Sequence, residues 1–123
     1  MIKLVFCLHR LPHLSRSEFQ AYWRECHAPL VERHAATLRI ARYVQTHSLD
    51  GPVNAALRDS RGGPEGYDGV AELWWSSPED LAAASASEEG RRASRELLDD
   101  ERRFIDLPRS PLWIAREHEI LRA

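Results

Sequence analysis

The sequence predicts an α+β fold in which two β-α-β units form a four-stranded antiparallel sheet with both helices on one face, the ferredoxin-like plan. The first observation is that a strand–helix–strand pattern occurs twice, separated by a glycine-rich connection. The second is that the strands are apolar on both faces, although the helices can cover only one. We therefore expect a second copy to cover the other face, giving a homodimer with a dimeric α+β barrel.

The first unit begins with a strand over Ile2–His9, in which both alternating sets of positions are apolar. Ser15 followed by Glu18 forms a capping box, which predicts the start of a helix. Pro29 is expected to kink or end the regular helix near Ala28, and a second strand follows over 40–47. The predicted buried stripe of this helix is spaced by four, three and four residues and consists of Phe19, Trp23, Cys26 and Leu30.

The second unit follows a long connection, residues 48–67, which contains Gly51-Pro52 and Gly62-Gly63-Pro64 and at most one predicted helical turn near 54–58. Connections of this length are usually functional, so we expect it to lie at a pocket mouth as a lid. A third strand is predicted over 68–75. The next helix begins at Ser77, breaks near 87–90 and resumes to about Phe104, and the last strand covers 112–121.

Length and charge limit the possible functions. The 123 residues suit one domain, 1–123, and 17 basic and 19 acidic residues give a net charge of −2 with no basic stripe. We therefore predict no nucleic-acid or membrane partner. No leader and no run of ~20 apolar residues occurs, which favours the cytoplasm, where Cys7 and Cys26 would be buried and reduced. No short metal-ligand motif occurs, so no metal site is predicted.

Five segments in order resemble the EthD-domain family. The most specific is the segment from Tyr22 to Leu30, an aromatic helix leading into His-x-Pro-Leu, and the others are 2–6, 42–45, 67–74 and 99–104. The resemblance implies a dimeric α+β barrel, whose wider relatives include muconolactone isomerases, polyketide cyclases and dehydratases, and cofactor-free monooxygenases. It also implies a pocket between the sheet and the helices, with a helix histidine and a strand tyrosine as catalytic candidates. Those positions are His27 and Tyr43.

The residues themselves leave alternatives open. His27 can move a proton near neutral pH, or it can be a core histidine that caps a carbonyl freed by Pro29. Tyr43 shares a strand face with Gln45 and His47, and its hydroxyl can bond a substrate carbonyl or a backbone carbonyl.

Two acids on the third strand also need partners if they are buried, because an unpaired buried carboxylate is costly. Asp68 and Glu72 share a strand face with Trp74, and either could orient His27 or act as acid and base. The alternative is that Asp68 lies in a turn and Glu72 pairs with Arg42 on the neighbouring strand.

These observations predict a lyase or isomerase of the cyclase or dehydratase type, acting on an apolar, carbonyl-bearing aromatic or polyketide-like molecule without metal or organic cofactor. His27 would remove a proton beside the carbonyl and Tyr43 would bond the enolate oxygen, with Glu72 as the third catalytic residue. The predicted substrate-binding residues are Phe6, Trp23, Leu30, His47, Asp68 and Trp74. The alternatives are a non-catalytic binding protein and a cofactor-free monooxygenase.

Overall fold

The computed structural model describes all 123 residues and contains one four-stranded sheet. Its strands are β1 (Ile2–Leu8), β2 (Arg42–His47), β3 (Gly69–Trp75) and β4 (Leu112–Ala115). They lie in the order β2-β3-β1-β4, and every neighbouring pair is antiparallel. This order confirms the predicted ferredoxin-like arrangement of two interleaved β-α-β units.

The main helices form two pairs. The first pair is α1 (Arg16–Tyr22) and α2 (Ala28–His34), and the second is α4 (Pro78–Ala86) and α5 (Glu88–Glu101); α3 (Pro52–Arg61) and a 3-10 turn (Leu107–Arg109) lie in connections. The predicted capping box at Ser15 is present, as is the predicted break between α4 and α5. Ser87 is extended there, with ψ of 151°, and its side chain caps the amide of Gly90.

A five-residue π-helical turn, Trp23–His27, joins α1 to α2 and changes which residues are buried. Pro29 has no N–H and its ring would clash with the carbonyl four residues earlier, so the turn before it widens. The amide of Ala28 instead bonds the carbonyl of Trp23. The buried stripe is therefore Phe19, Trp23, His27 and Val31.

Because of this widened turn, the predicted buried positions Cys26 and Leu30 are each wrong by one residue. Cys26 is exposed, whereas His27 beside it is only 6% exposed. Leu30 is partly buried against a core cluster that contains Val31, and Val31 takes the fully buried position. Both errors come from assuming regular α-helical spacing through a turn that carries one additional residue.

The connections differ from the predictions as well. Residues 48–67 contain the ten-residue helix α3, which begins after Gly51, with φ of 137°, and ends at Gly62, with φ of 59°. Only glycine adopts the first of these conformations without strain. The last strand ends at Ala115 and not near residue 121, and the chain beyond it is irregular.

The sheet has two chemically different faces. The helix-covered face carries Phe6 and Leu8 of β1 against Phe19 and Trp23. The opposite face carries apolar side chains together with an ion pair between Lys3 and Glu72, with Nζ 2.6 Å from Oε2. No helix is long and apolar enough to cross a membrane.

Candidate functional site

A cavity of about 250 Å³ lies between the sheet and the helices. Phe6, Leu73 and Trp75 of the sheet and Trp23 and Val31 of the helices form much of its apolar wall. An apolar cavity of 150 Å³ is known to hold benzene, so this one has room for a molecule of one or two rings. Its ionisable lining residues are His27, Tyr43 and Glu101, and no lysine or arginine lines it.

His27 has the geometry of an oriented base. Its Nδ1 lies 2.7 Å from Oδ2 of Asp100, and the other oxygen of that carboxylate accepts a 2.5 Å hydrogen bond from the hydroxyl of Tyr22. Because a carboxylate only accepts hydrogen bonds, Nδ1 carries the proton and Nε2 keeps its lone pair.

The second ring nitrogen of His27 is free within the chain. Nε2 has no hydrogen-bond partner in the chain, and because no fully buried side-chain nitrogen or oxygen lacks a partner, Nε2 keeps some exposure. His27 itself lines the cavity. Burial lowers the pKa of His27 below 6.5, although Asp100 favours the charged form. At neutral pH the imidazole is therefore neutral and can accept a proton.

Tyr43 is held by a second hydrogen-bond chain that begins at His47. Nε2 of His47 lies 2.8 Å from Oε1 of Gln45, and Nε2 of Gln45 donates to the Tyr43 hydroxyl at 2.7 Å and to the carbonyl of Trp23 at 3.0 Å. The Tyr43 oxygen is thus an acceptor within the chain, and its own hydrogen remains available to a ligand. Burial raises the pKa of Tyr43 above 10, so it remains a donor at neutral pH.

Glu101 is the third ionisable group of the cavity. Its carboxyl group takes part in no ion pair within the chain, and it follows directly after Asp100, the partner of His27. Burial, together with the neighbouring Asp100 carboxylate, raises the pKa of Glu101 to about 7, against the opposing effect of Arg102. At neutral pH, therefore, a large fraction of this carboxyl is protonated.

The structure brings four of the nine predicted site residues together in this cavity, namely His27, Tyr43, Phe6 and Trp23. His47 does not line it; its ring stacks on Trp23 with centroids 4.5 Å apart and supports Tyr43 through Gln45. Leu30 also lies outside the cavity wall, because the π-turn places Val31 in the buried position instead.

Glu72 and Trp74 correct the prediction, because both lie on the opposite face of the sheet. The register pairs Tyr43 with Leu73 across β2 and β3, so Glu72 and Trp74 point away from the helices. Glu72 pairs with Lys3, not with Arg42. The guanidinium of Arg42 lies over the Trp74 ring, 4.5 Å from its centroid.

Asp68 is buried, 4% exposed, but it lies away from the cavity. Its carboxylate accepts hydrogen bonds from the amide of Arg10 at 2.8 Å and from Nε of Arg16 at 3.0 Å. It therefore ties the loop after β1 and helix α1 to the start of β3, which is the structural alternative for this residue.

The connection 48–67 does not line the apolar cavity, which corrects its predicted place at the mouth. It borders a separate polar cleft that also contains Arg10 and Arg16, both of which are already paired with Asp68. No group of three or more His, Cys, Asp or Glu side chains is placed to hold a metal ion.

Asp100 and Glu101 were not identified as site residues from the sequence, because the many charges of this helix are typical of a solvated face. Their signal was the apolar spacing of α5: Ala93 and Leu97 are buried, and positions three and four after Leu97 share its face. That face points toward the π-turn and therefore places the two acids beside His27 and the cavity.

Comparison with known proteins agrees with this architecture. The family model described as EthD domain matches residues 11–108. No curated protein matches the sequence. An ethyl tert-butyl ether (EthD) family protein from Bacillus halodurans is 19% identical, with a TM-score of 0.61, and the match covers 96% of this chain and 100% of that one.

Two further solved structures share the fold. A dimeric protein with a ferredoxin-like fold from Bacteroides fragilis is 8% identical, with a TM-score of 0.57 and coverage of 94% and 95% of the two chains. SnoaB, a cofactor-independent oxygenase from Streptomyces nogalater, is 14% identical, with a TM-score of 0.54 and coverage of 98% and 95%. At these identities the likeness concerns the fold. Because the family model matches most of the sequence, the chain belongs to the EthD-domain family.

Proposed function

We propose that this protein is an enzyme of the lyase or isomerase type that removes a proton beside the carbonyl group of an apolar molecule. The observation that carries the proposal is the state of His27, which lines an apolar cavity with its Nδ1 fixed by Asp100 and its Nε2 without a partner in the chain. A neutral imidazole in that state accepts a proton. Water is largely displaced from such a cavity once a ligand fills it, which strengthens each polar contact inside.

The reaction needs two groups in its first step. Nε2 of His27 takes a proton from the carbon next to the carbonyl, and the electron pair of the broken C–H bond moves into an enolate. The hydroxyl of Tyr43 donates a hydrogen bond to the oxygen on which the charge develops. If His27 returns the proton to another carbon, the result is an isomerisation. If a β-hydroxyl takes that proton and leaves as water, the result is a dehydration.

The test is exchange of the C1 methylene protons of 2-tetralone in D₂O, followed by ¹H NMR after subtraction of the buffer-catalysed rate. We expect the protein to accelerate this exchange, and His27→Asn to reduce the acceleration by ~10²–10⁴-fold, the usual contribution of an acid–base group. Tyr43→Phe should reduce it as well. His34→Asn is the matched control, since His34 pairs with Glu96 outside the cavity. Acceleration that survives in His27→Asn would refute the proposal.

The same proposal includes a homodimer formed by the uncovered faces of two sheets, in the cytoplasm, where Cys7 and Cys26 remain as the free thiols found here. Trp113 of β4 lies opposite Val5 on that face and is 48% exposed in one chain. Trp74 is already covered within the chain, at 4% exposure, so association would bury more apolar surface of Trp113 than of Trp74. A stable pair would bury above roughly 1,000 Å².

A cofactor-free oxygenase is the second candidate, favoured by the fold shared with SnoaB. The enolate formed at His27 would then react with O₂ as the second substrate. Oxygen uptake during incubation with 2-tetralone separates the two candidates, because isomerisation and dehydration consume none. A ligand that binds in the cavity without exchange or oxygen uptake would instead favour a non-catalytic binding protein.

A further inference from the structure

Glu101 is the one ionisable group of the cavity that the proposed reaction does not use. Glu101 lines the same cavity as His27 and Tyr43, and no arginine, lysine or histidine forms an ion pair with it. A carboxyl group kept in an apolar site without a cation is costly when charged, and it is a hydrogen-bond donor when protonated.

The surroundings of Glu101 favour the uncharged form. The ionisable groups near it or across the cavity are Asp100 of its own helix, Arg102 directly after that helix, His27 of the π-turn, Tyr43 of β2 and Glu32 of α2. Asp100 disfavours a second negative charge, whereas Arg102, which is exposed on the helix surface, favours it. His27 and Tyr43 are neutral at neutral pH.

We infer that Glu101 sets the substrate class of the cavity: it admits uncharged aromatic ketones, to which its protonated carboxyl donates a hydrogen bond, and it excludes aromatic carboxylates. The inference rests on the proposed function, because it concerns the same cavity. An anion would find no cation on the wall and would meet the partial charge of Glu101. A ketone oxygen of matching shape would find a donor.

The sign of the pH effect follows from the pKa of Glu101, which is about 7. Below that pH the carboxyl is protonated and donates; above it the donor is lost and a bare charge replaces it. Burial has lowered the pKa of His27 below 6.5 and raised that of Tyr43 above 10. Between pH 6.5 and 8.5, therefore, Glu101 is the cavity group whose charge changes most.

The experiment measures binding and not turnover. The probes are 2-acetonaphthone, which is uncharged, and 2-naphthoate, an anion of nearly the same shape; quenching of Trp23 and Trp75 fluorescence reports occupancy, since both indoles line the cavity. We expect the Kd of the ketone to rise about fivefold to tenfold from pH 6.5 to 8.5, the value of one hydrogen bond. The naphthoate should bind at least tenfold more weakly than the ketone at pH 8.5.

Glu101→Gln is the informative variant, because the amide donates a hydrogen bond at every pH. Its affinity for the ketone should not change with pH, and its affinity for naphthoate should exceed that of the wild-type protein. Glu89→Gln is the matched control: it removes an exposed charge from the same helix outside the cavity and should behave like the wild-type protein.

Several outcomes would overturn the inference: a pH-independent Kd for the ketone in the wild-type protein, an equal affinity for both probes, or unchanged pH dependence in Glu101→Gln. Absence of ketone binding at every pH would also overturn it. The wild-type pH profile decides the matter even if the variant does not fold. If proton exchange fails while these binding results hold, the substrate class stands and only the proposed reaction is refuted.

Discussion

The contact between His27 and Asp100 can be separated from the chemistry of His27 by two substitutions. His27→Asn places an amide nitrogen close to the position of Nδ1, so the 2.7 Å hydrogen bond to Asp100 can be kept. His27→Leu fills similar space but has no hydrogen-bond donor. Of the two hydrogen bonds that Asp100 accepts from His27 and Tyr22, only the one from the Tyr22 hydroxyl then remains. Both variants lack the base.

The magnitudes follow from the burial of this pair, whose side chains are 7% and 14% exposed. A hydrogen bond to a charged group contributes about 1.5–3 kcal/mol, so His27→Leu should lower the free energy of unfolding by about 2 kcal/mol. His27→Asn should lose about 1 kcal/mol, chiefly the packing of the ring on Phe104, with centroids 5.0 Å apart. For a domain of this size each kcal/mol shifts Tm by about 3–5 °C.

Thermal unfolding followed by circular dichroism measures the difference, and the 2-tetralone exchange assay measures the chemistry. We expect Tm to fall by about 3–5 °C in His27→Asn and by about 6–10 °C in His27→Leu, with exchange lost in both. Equal Tm values in the two variants would contradict a stabilising contact with Asp100. If Tm fell strongly in His27→Asn while the rate of proton exchange stayed at the wild-type level, His27 would be a core histidine and not a base.

Three further predictions concern positions outside the cavity. Asp68→Asn should lower the free energy of unfolding by about 2–4 kcal/mol, less than for a fully buried pair because Arg10 is 38% exposed. Burial opposes the charge of Asp68, but hydrogen bonds from Arg10 and Arg16 outweigh this effect and lower the pKa of Asp68. The stabilisation is therefore present above the unfolded pKa and is lost as pH falls through the folded pKa, which Tm values from pH 6 to pH 3 would measure. Gly90→Ala should cost at least about 1–3 kcal/mol, since its Cβ would meet the carbonyl oxygen of Ala84, whereas Gly63→Ala should change Tm little; equal Tm values for the two variants would contradict this reason. Trp113→Glu should convert the proposed dimer to monomer in light scattering without a large loss of helical signal, and a dimer mass that persists would exclude this face as the interface.

Much of the fold was predictable because it depends on local signals. The capping box at Ser15, the N-cap at Ser77 and the break at Ser87 each satisfy backbone amides within a few residues, and each is present as predicted. Two consecutive strand–helix–strand units are compatible with only a few sheet topologies. The observed sheet is antiparallel throughout, as predicted. The pattern of β1, apolar on both faces, predicted a buried strand, and its residues Phe6, Cys7 and Leu8 are buried.

Part of the site was predictable as well. His27, Tyr43, Phe6 and Trp23 were identified from the sequence and line the same cavity. The catalytic roles given to His27 and Tyr43 remain predictions, because what the structure provides is their placement, burial and hydrogen bonds.

The remaining features depend on contacts between residues far apart in the chain. The pairing of Asp100 with His27 joins positions 73 residues apart, and the π-turn that makes it possible moves the buried stripe from Cys26 and Leu30 to His27 and Val31. The sheet register places Glu72 on the face opposite Tyr43, so an acid that seemed near His27 pairs with Lys3 instead.

The sequence by itself therefore determined the elements and their order, because periodicity and capping act locally, and the resemblance to the EthD-domain family indicated His27 and Tyr43 as candidates. Only the tertiary structure decided which acids join them. The helix that carries Asp100 and Glu101 is densely charged, and only its packing against the π-turn leaves these two carboxyls beside the cavity. The pKa of Glu101, raised to about 7, depends on that burial, which no local pattern of residues encodes.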